Sequence, residues 1–266
     1  MDKTSVFGLI LAFVAIGTGM VLKGVNLSVL LNPAAILIIL AGTTATILIG
    51  FPTSEVKNIP KLFKVVFTEE KGKTEEDYIQ IFTELATIAR KEGLLALESK
   101  VDEMSDQFLK NGISLAIDGQ SAEFIKDVLM DEIQELEERH QASASIFTQA
   151  GTYAPTLGVL GAVVGLIAAL ANLSDIDKLG HAIAAAFVAT LLGIFTGYVL
   201  WHPFANKLKR KSKQEIKMKQ LITVGILSVQ GGESPIVIKQ KLASCLPNER
   251  RKAILAQGEE TNVKEG

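Results

Sequence analysis

Long stretches without charge alternate along the chain with stretches dense in it. Residues 4–22, 24–54, 141–174 and 179–206 contain no Asp, Glu, Lys or Arg. A helix of about 20 apolar residues crosses the roughly 30 Å hydrocarbon layer of a bilayer. Each run meets or nearly meets that length, and the second also holds a loop. Asn32–Pro33 reads as a helix start, with proline at the first helical position. The spans are expected at about 4–22, 33–51, 146–170 and 181–203. The pattern predicts an all-α, polytopic membrane protein with four transmembrane helices and a helical cytoplasmic domain. The first run has only Lys3 before it and no clear Ala-x-Ala site after it, so it reads as a retained span and not a cleaved leader.

The polar stretches carry helical signals of their own. Thr74 is a good N-cap, with Asp77 three residues on and acids in the first turn. Ile79, Phe82, Leu85, Ala86 and Ala89 then form a helical stripe, and Gly93 breaks or bends it. Residues 94–110 read as a second helix ending at Asn111–Gly112. Ser121 caps a third, which meets no breaker before the third span and is expected to enter it unbroken. A helix is expected over about 212–229, then Gly231–Gly232, then a short helix started by Ser234–Pro235 and reaching about 246. Residues 248–266 read as a disordered tail.

Charge sets the orientation. The hairpin after the first span carries only Lys23, and that after the third carries Asp175, Asp177 and Lys178. Lys57, Lys61 and Lys64 follow the second span. Lys207, Lys209, Arg210, Lys211, Lys213, Lys217 and Lys219 follow the fourth. Positive charge stays inside, so both termini and the insert between spans two and three are expected in the cytoplasm. The expected organisation is a hairpin over 1–52, a cytoplasmic helical domain over 53–141, a second hairpin over 142–206, cytoplasmic helices over 207–247, and the tail. The basic run after Asn206 lacks interleaved aromatics, so topology and anionic headgroups explain it better than nucleic acid.

Overall composition adds little. The net charge of −2 over 266 residues is near neutral, and the single Cys245 forms no intrachain disulfide. His140, His181 and His202 are too far apart for a metal site, and no cofactor motif is present. No nucleophile–base set or glycine-rich phosphate loop suggests an enzyme. A solute permease would show polar ligands in its spans and often internal repeats, and neither is seen.

The spans themselves are informative. None holds a carboxylate, although ion sites in membranes usually do. If this chain moves ions, the titrating group comes from a partner. Gly158, Gly161, Ala162 and Gly165 fall in the third span, and Ala184–Ala186, Ala189, Gly193 and Gly197 in the fourth. Gly161/Gly165 and Gly193/Gly197 have the GxxxG spacing that lets helix backbones approach in lipid. Pro155 and Pro203 read either as simple bends, or a helix end for Pro203, or as hinges beside an ion path. Thr156 and Thr190 are hydroxyls within the spans. His181 and His202 sit at opposite ends of the fourth span and read as interfacial anchors.

These residues also carry a resemblance. Residues 153–166, YAPTLGVLGAVVGL, and 186–198, AFVATLLGIFTGY, followed by Pro203, resemble the third and fourth spans of the MotA-type stator family, in the wider MotA/TolQ/ExbB group. ARKEGLLALE (89–98), DGQS (118–121) and GESP (232–235) resemble its cytoplasmic segments. The resemblance covers nearly the whole chain except about the last 20 residues.

It implies a homo-oligomeric ring, a pentamer, around two single-span MotB-type chains that supply the ion-carrying aspartate. It implies that Pro155 and Pro203 are the family's functional prolines and that Thr190 faces the ion path. Arg90 and Glu98 match the residues that meet the rotor protein FliG. On an unbroken helix, eight residues apart, those two would share a face, a geometry conditional on Gly93. Without the resemblance they read as two solvated charges. Sodium-driven relatives carry a threonine seven residues after the proline matching Pro155. Ala162 stands there and offers no oxygen, which favours protons, although Thr190 still supplies a hydroxyl. An ExbB- or TolQ-type subunit is the rival reading. The paired N-terminal spans and the 89–98 segment favour the MotA type.

Overall fold

In a computed structural model of the chain, described for residues 2–69, 72–171 and 175–254, helices are the only regular elements among the described residues. In order these are α1 (Lys3–Leu22), a 3-10 turn (Leu27–Leu30), α2 (Pro33–Ile36), a π turn (Leu37–Ala41), α3 (Gly42–Gly50), α4 (Thr53–Val56) and α5 (Ile59–Phe67). Then come α6 (Glu75–Glu92), a 3-10 turn (Leu94–Leu97), α7 (Glu98–Asp102), α8 (Gln107–Ile117) and α9 (Ala122–Leu170). The last are α10 (Ile176–Phe195), a π turn (Thr196–Trp201), α11 (His202–Gln230) and α12 (Pro235–Ala243). Four helical stretches, Lys3–Leu22, Leu27–Gly50, Ala122–Leu170 and Ile176–Gln230, are long and apolar enough to cross a membrane. The all-α, four-span architecture is as the charge-free runs predict.

The expected caps are present. Asn32 accepts from the Ala35 amide and Pro33 opens α2. Thr74 and Asp77 close a reciprocal capping box on α6. Ser121 Oγ accepts from the Phe124 amide at the start of α9, and Ser234 Oγ from the Val237 amide at α12. Each satisfies a backbone donor that the first helical turn leaves free.

Three expectations need correction. Residues 94–110 are not one helix ending at Asn111–Gly112. A 3-10 turn and α7 come first, Asp106 caps a new helix by accepting from Phe108 and Leu109, and α8 runs through Gly112. Gly112 is there for packing, since a Cβ on it would meet Ile226 Cδ1 at 2.4 Å. A separate helix does not begin near Ser212, because α11 starts at His202 and runs unbroken to Gln230. Of the expected tail, residues 248–254 are helical, with Arg250 paired to Glu75 and Glu76 of α6. The rest of the tail lies outside the described residues.

The chain divides into two units. One comprises residues 1–70 and 139–211, the other 71–138 and 212–266. In the first, an aromatic cluster of Phe63, Phe67, Phe147, Trp201 and Phe204 packs edge to face, with Phe147 stacked on Trp201. Fully buried Val66 of α5 joins it, so α4 and α5 belong with the spans and not with the polar insert where they were expected. The second unit has its own core of Phe82, Phe108, Leu129 and Ile226, each no more than 2% exposed. Burial of such side chains stabilises by about 1.5–3 kcal/mol each.

Candidate functional site

The third and fourth spans cross through their glycines. A Cβ added to Gly158 would lie 2.8 Å from the Ala189 carbonyl oxygen and 2.9 Å from Gly193 Cα. One on Gly193 would lie 2.8 Å from the Ala154 carbonyl oxygen. Backbone therefore touches backbone, which in lipid substitutes for the hydrophobic driving force available in water. The tightest pairs are Gly158–Gly193 and Gly197 against Pro155. Cβ atoms on Gly161 and Gly165 would come no nearer than 3.4 and 3.5 Å to any neighbour, the Ala189 and Ala186 methyl groups being first.

Pro155 lies inside α9. It has no N–H, so the Gly151 carbonyl loses its donor four residues on. Gly197 covers that carbonyl. A Cβ there would lie 2.7 Å from Gly151 O and 2.7 Å from Pro155 Cγ. Gly197 belongs to the π turn Thr196–Trp201, a local widening of the helix of the kind often found at functional sites. Pro203 follows directly, exposed and near the start of α11. It does not end the helix. The π turn before it offers a register in which a residue without N–H is tolerated, and the helix continues.

The pairings Pro155–Gly197, Gly158–Gly193 and Gly165–Ala186 define an antiparallel register. That register sets Ala162 level with Thr190. Each is seven residues from a member of the Pro155–Gly197 pair, hence within about 20° of the same face. Both are half-buried, and Thr190 Oγ1 donates to the Ala186 carbonyl at 3.3 Å. Pro155, Ala162, Thr190 and Gly197 thus line one crossing, whereas Pro203 sits in a cleft beside Thr4, Gly8 and Lys207 of the same unit. Thr156 is exposed and donates to the Tyr153 carbonyl at 2.7 Å. The crossing provides a hydroxyl, a helix interrupted by proline and a freed carbonyl, but no carboxylate.

Arg90 and Glu98 are not on one continuous helix, as their shared face would have required. α6 ends at Glu92, and Gly93 turns the chain with φ +86°, a value β-carbon residues rarely adopt. Glu98 opens α7 after the 3-10 turn, whose Leu97 is fully buried and fixes the turn to the core. Arg90 in the last turn of α6 and Glu98 in the first of α7 each complement a helix dipole. Both are exposed, and neither pairs with another described residue.

Comparison with known proteins places this geometry. Residues 6–93 match the model for the motility protein A N-terminal region, and residues 100–220 that for the MotA/TolQ/ExbB proton channel family. Motility protein A of Bacillus subtilis is 63% identical over 262 residues, covering 98% of this chain and 97% of that protein. The chemotaxis protein PomA of Vibrio alginolyticus is 34% identical, covering 96% of this chain and 98% of that one. The flagellar MotAB stator complex structure from Bacillus subtilis superposes with a TM-score of 0.91, covering 95% of this chain and 99% of the matched chain. That of C. jejuni MotAB superposes with 0.89 at 33% identity, covering 93% and 97%.

The chain belongs to the MotA/TolQ/ExbB proton channel family.

Three features of this family member escape sequence reasoning. Gly151, unremarkable in the pattern, packs against the His202 ring, where an added Cβ would come within 2.8 Å, so His202 is a packing residue and not only an interfacial anchor. The two π turns have no sequence signature beyond Pro203 after the second. Asp2 caps α1 and pairs with Lys207 at 2.5 Å. That ammonium and the Thr4 hydroxyl hold the Asp2 carboxyl well below the usual carboxylate range.

Proposed function

We infer that this chain is the MotA-type stator subunit of a bacterial flagellar motor, converting ion flow across the membrane into torque on the rotor. The near full-length likeness to motility protein A and to a MotAB stator complex carries this reading. The match of residues 6–93 to the motility protein A N-terminal model favours it over an ExbB- or TolQ-type subunit.

The working unit is a ring of five copies around two single-span MotB-type chains. The absence of a carboxylate from the charge-free runs supports a partner that supplies the titrating aspartate. Both termini and the polar insert face the cytoplasm, as the lysine and arginine distribution favours. Protonation of the partner's aspartate removes its charge and changes its fit against the crossing near Pro155 and Thr190. Release toward the cytoplasm restores the charge. The ring advances because its subunits bind the two protonation states unequally. Arg90 and Glu98, exposed and without an ion-pair partner among the described residues, push on FliG, where opposite charges set register with a partner. One proton crossing 100 mV supplies about 2.3 kcal/mol, against a thermal energy of about 0.6 kcal/mol. Ala162, level with Thr190, supports protons over sodium, because a methyl group offers no ligand.

The test is swimming of a host lacking its own stator genes and expressing this chain with its cognate single-span partner. Swimming in sodium-free medium that stops with a protonophore is expected. Strict dependence on sodium would overturn the proton reading. A complex present in the membrane that drives no swimming in any medium would overturn the stator reading.

A further inference from the structure

The span unit also contains a cavity whose wall is distinct from the glycine crossing. A cavity of about 370 Å³ is walled by Thr43, Ile47, Phe63, Phe147, Ala150 and Trp201. That is within the range of small-ligand sites, which are mostly apolar with a few polar groups. Leu40 and Leu48 lie at its edge, 45% and 59% exposed. Two of the wall residues hold a buried polar atom with no hydrogen-bond partner among the described residues, Thr43 Oγ1 and the Trp201 indole Nε1. Thr43 is only 4% exposed. The indole N–H donates and never accepts, and a threonine hydroxyl can donate. Two buried donors beside one cavity call for an acceptor oxygen. A helical threonine has two accessible χ1 rotamers, so its hydroxyl can swing toward such an oxygen.

Both donors also adjoin the π turns. Thr43 follows Leu37–Ala41 by two residues, and Trp201 closes Thr196–Trp201. The cavity is therefore bordered by the two places where these span helices depart from α geometry.

Position selects the occupant. Ile47 and Leu48 are near the end of the second charge-free run, Phe147 and Ala150 near the start of the third, and Trp201 near the end of the fourth. All mark the level where hydrocarbon gives way to headgroups, and where tryptophan concentrates. The segment that lends Val56, Ile59 and Phe63 to the wall carries Lys57, Lys61 and Lys64 exposed. At that depth the acceptor oxygens a membrane offers are the ester carbonyls of its lipids. We propose that this cavity binds the ester end of one acyl chain of an anionic glycerophospholipid, whose carbonyl accepts from Trp201 and Thr43 while its negative headgroup lies near the lysines and selects it over a zwitterionic lipid. This reading does not depend on which ion drives the protein or on what its polar unit contacts.

Trp201 is the chain's single tryptophan, so it reports on its own site. The complex with its partner is reconstituted in phosphatidylcholine vesicles containing rising fractions of phosphatidylglycerol brominated on the acyl chains, since bromine quenches indole on contact. A Trp201→Phe complex subtracts any partner emission. Saturable quenching is expected. Thr43→Val should raise the half-quenching fraction about fivefold, the effect of one lost hydrogen bond, and Thr43→Ser should restore it. Ala150→Leu, which fills the cavity, should remove the saturable component. Quenching that only follows the bulk fraction, alike in all variants, would overturn the proposal. So would blue, unquenched emission, which means that protein covers the cavity, or red-shifted unquenched emission, which means that only water enters it.

Discussion

Gly197 packs its Cα against the ring of Pro155 and against the Gly151 carbonyl that Pro155 leaves without a donor. The proline opens the helix backbone and the glycine on the neighbouring span closes over the gap. Gly197→Ala would put a methyl group 2.7 Å from both. Overpacking of that kind costs about 1–3 kcal/mol, and neither neighbour is a flexible side-chain end. The thermal midpoint of the purified complex should fall and swimming should stop. Gly161→Ala, whose methyl would meet the Ala189 methyl at 3.4 Å and the Ile38 side chain at 3.7 Å, should retain both. Equal loss from the two would show that glycine content matters and not the Pro155 junction.

Thr190 makes one long bond to its own helix, so removing its hydroxyl should cost about 1 kcal/mol or less in stability. Its worth should instead appear in function. Thr190→Ala is expected to slow swimming several-fold with the complex intact, and Thr190→Ser to recover most of it. Unchanged speed in Thr190→Ala would remove this hydroxyl from the ion path.

Arg90 and Glu98 are exposed and have no ion-pair partner among the described residues, so charge reversal at either should change stability by no more than about 0.5 kcal/mol. Arg90→Glu should abolish swimming while membrane levels and partner binding stay normal. A reversed charge on FliG that restores swimming would confirm the contact. Swimming that survives Arg90→Glu would mean the torque surface is elsewhere.

In the polar unit, Gly225 faces the ring of fully buried Phe82, and a Cβ there would come within 2.4 Å of it. Gly225→Ala should destabilise this unit by about 1–3 kcal/mol. Urea titration followed by helical signal is the check, and an unshifted midpoint would show that the core repacks around the methyl.

The buried Tyr78 hydroxyl donates to Asp106, the residue that caps α8. Burial, and then this carboxylate, push its phenol well above the ordinary value of 10. Below pH 10 the phenol is neutral in both folded and unfolded chains, and its contribution is fully present. Above that the unfolded phenol ionises while the folded one resists, so stability is lost as pH rises. The difference in unfolding midpoint between the native chain and Tyr78→Phe should shrink from pH 9 to 11, with about 9 and 11 chosen to bracket the ordinary phenol value. A constant difference would mean the phenol is not held neutral.

Much of this architecture can be read in one dimension, because its causes are local or depend on solvent alone. A run without charge must be a helix in lipid, where no water can satisfy an open backbone. Thr74–Asp77, Asn32–Pro33 and Ser234–Pro235 mark helix starts because the cap bonds span only three residues. The Asn111–Gly112 pair misleads for the opposite reason. It has the composition of a turn, but its glycine is set by Ile226, more than a hundred residues away. Arg90 and Glu98 stand out through resemblance, yet their geometry turns on Gly93, whose positive φ no spacing rule contains.

Hydrophobicity and charge are properties of each residue against its solvent, so span number, helix class and the lack of an intramembrane carboxylate follow from the order of residues. Which glycine meets which is a property of two surfaces. Of the glycines in the third and fourth spans, Gly151, Gly158, Gly193 and Gly197 leave no room for a Cβ, whereas Gly161 and Gly165 have neighbours no nearer than 3.4 Å. Packing also joins Pro155 to Gly197 and sets Ala162 level with Thr190. Close approach selects among residues that a one-dimensional pattern treats as equals, because contact energies change within tenths of an ångström.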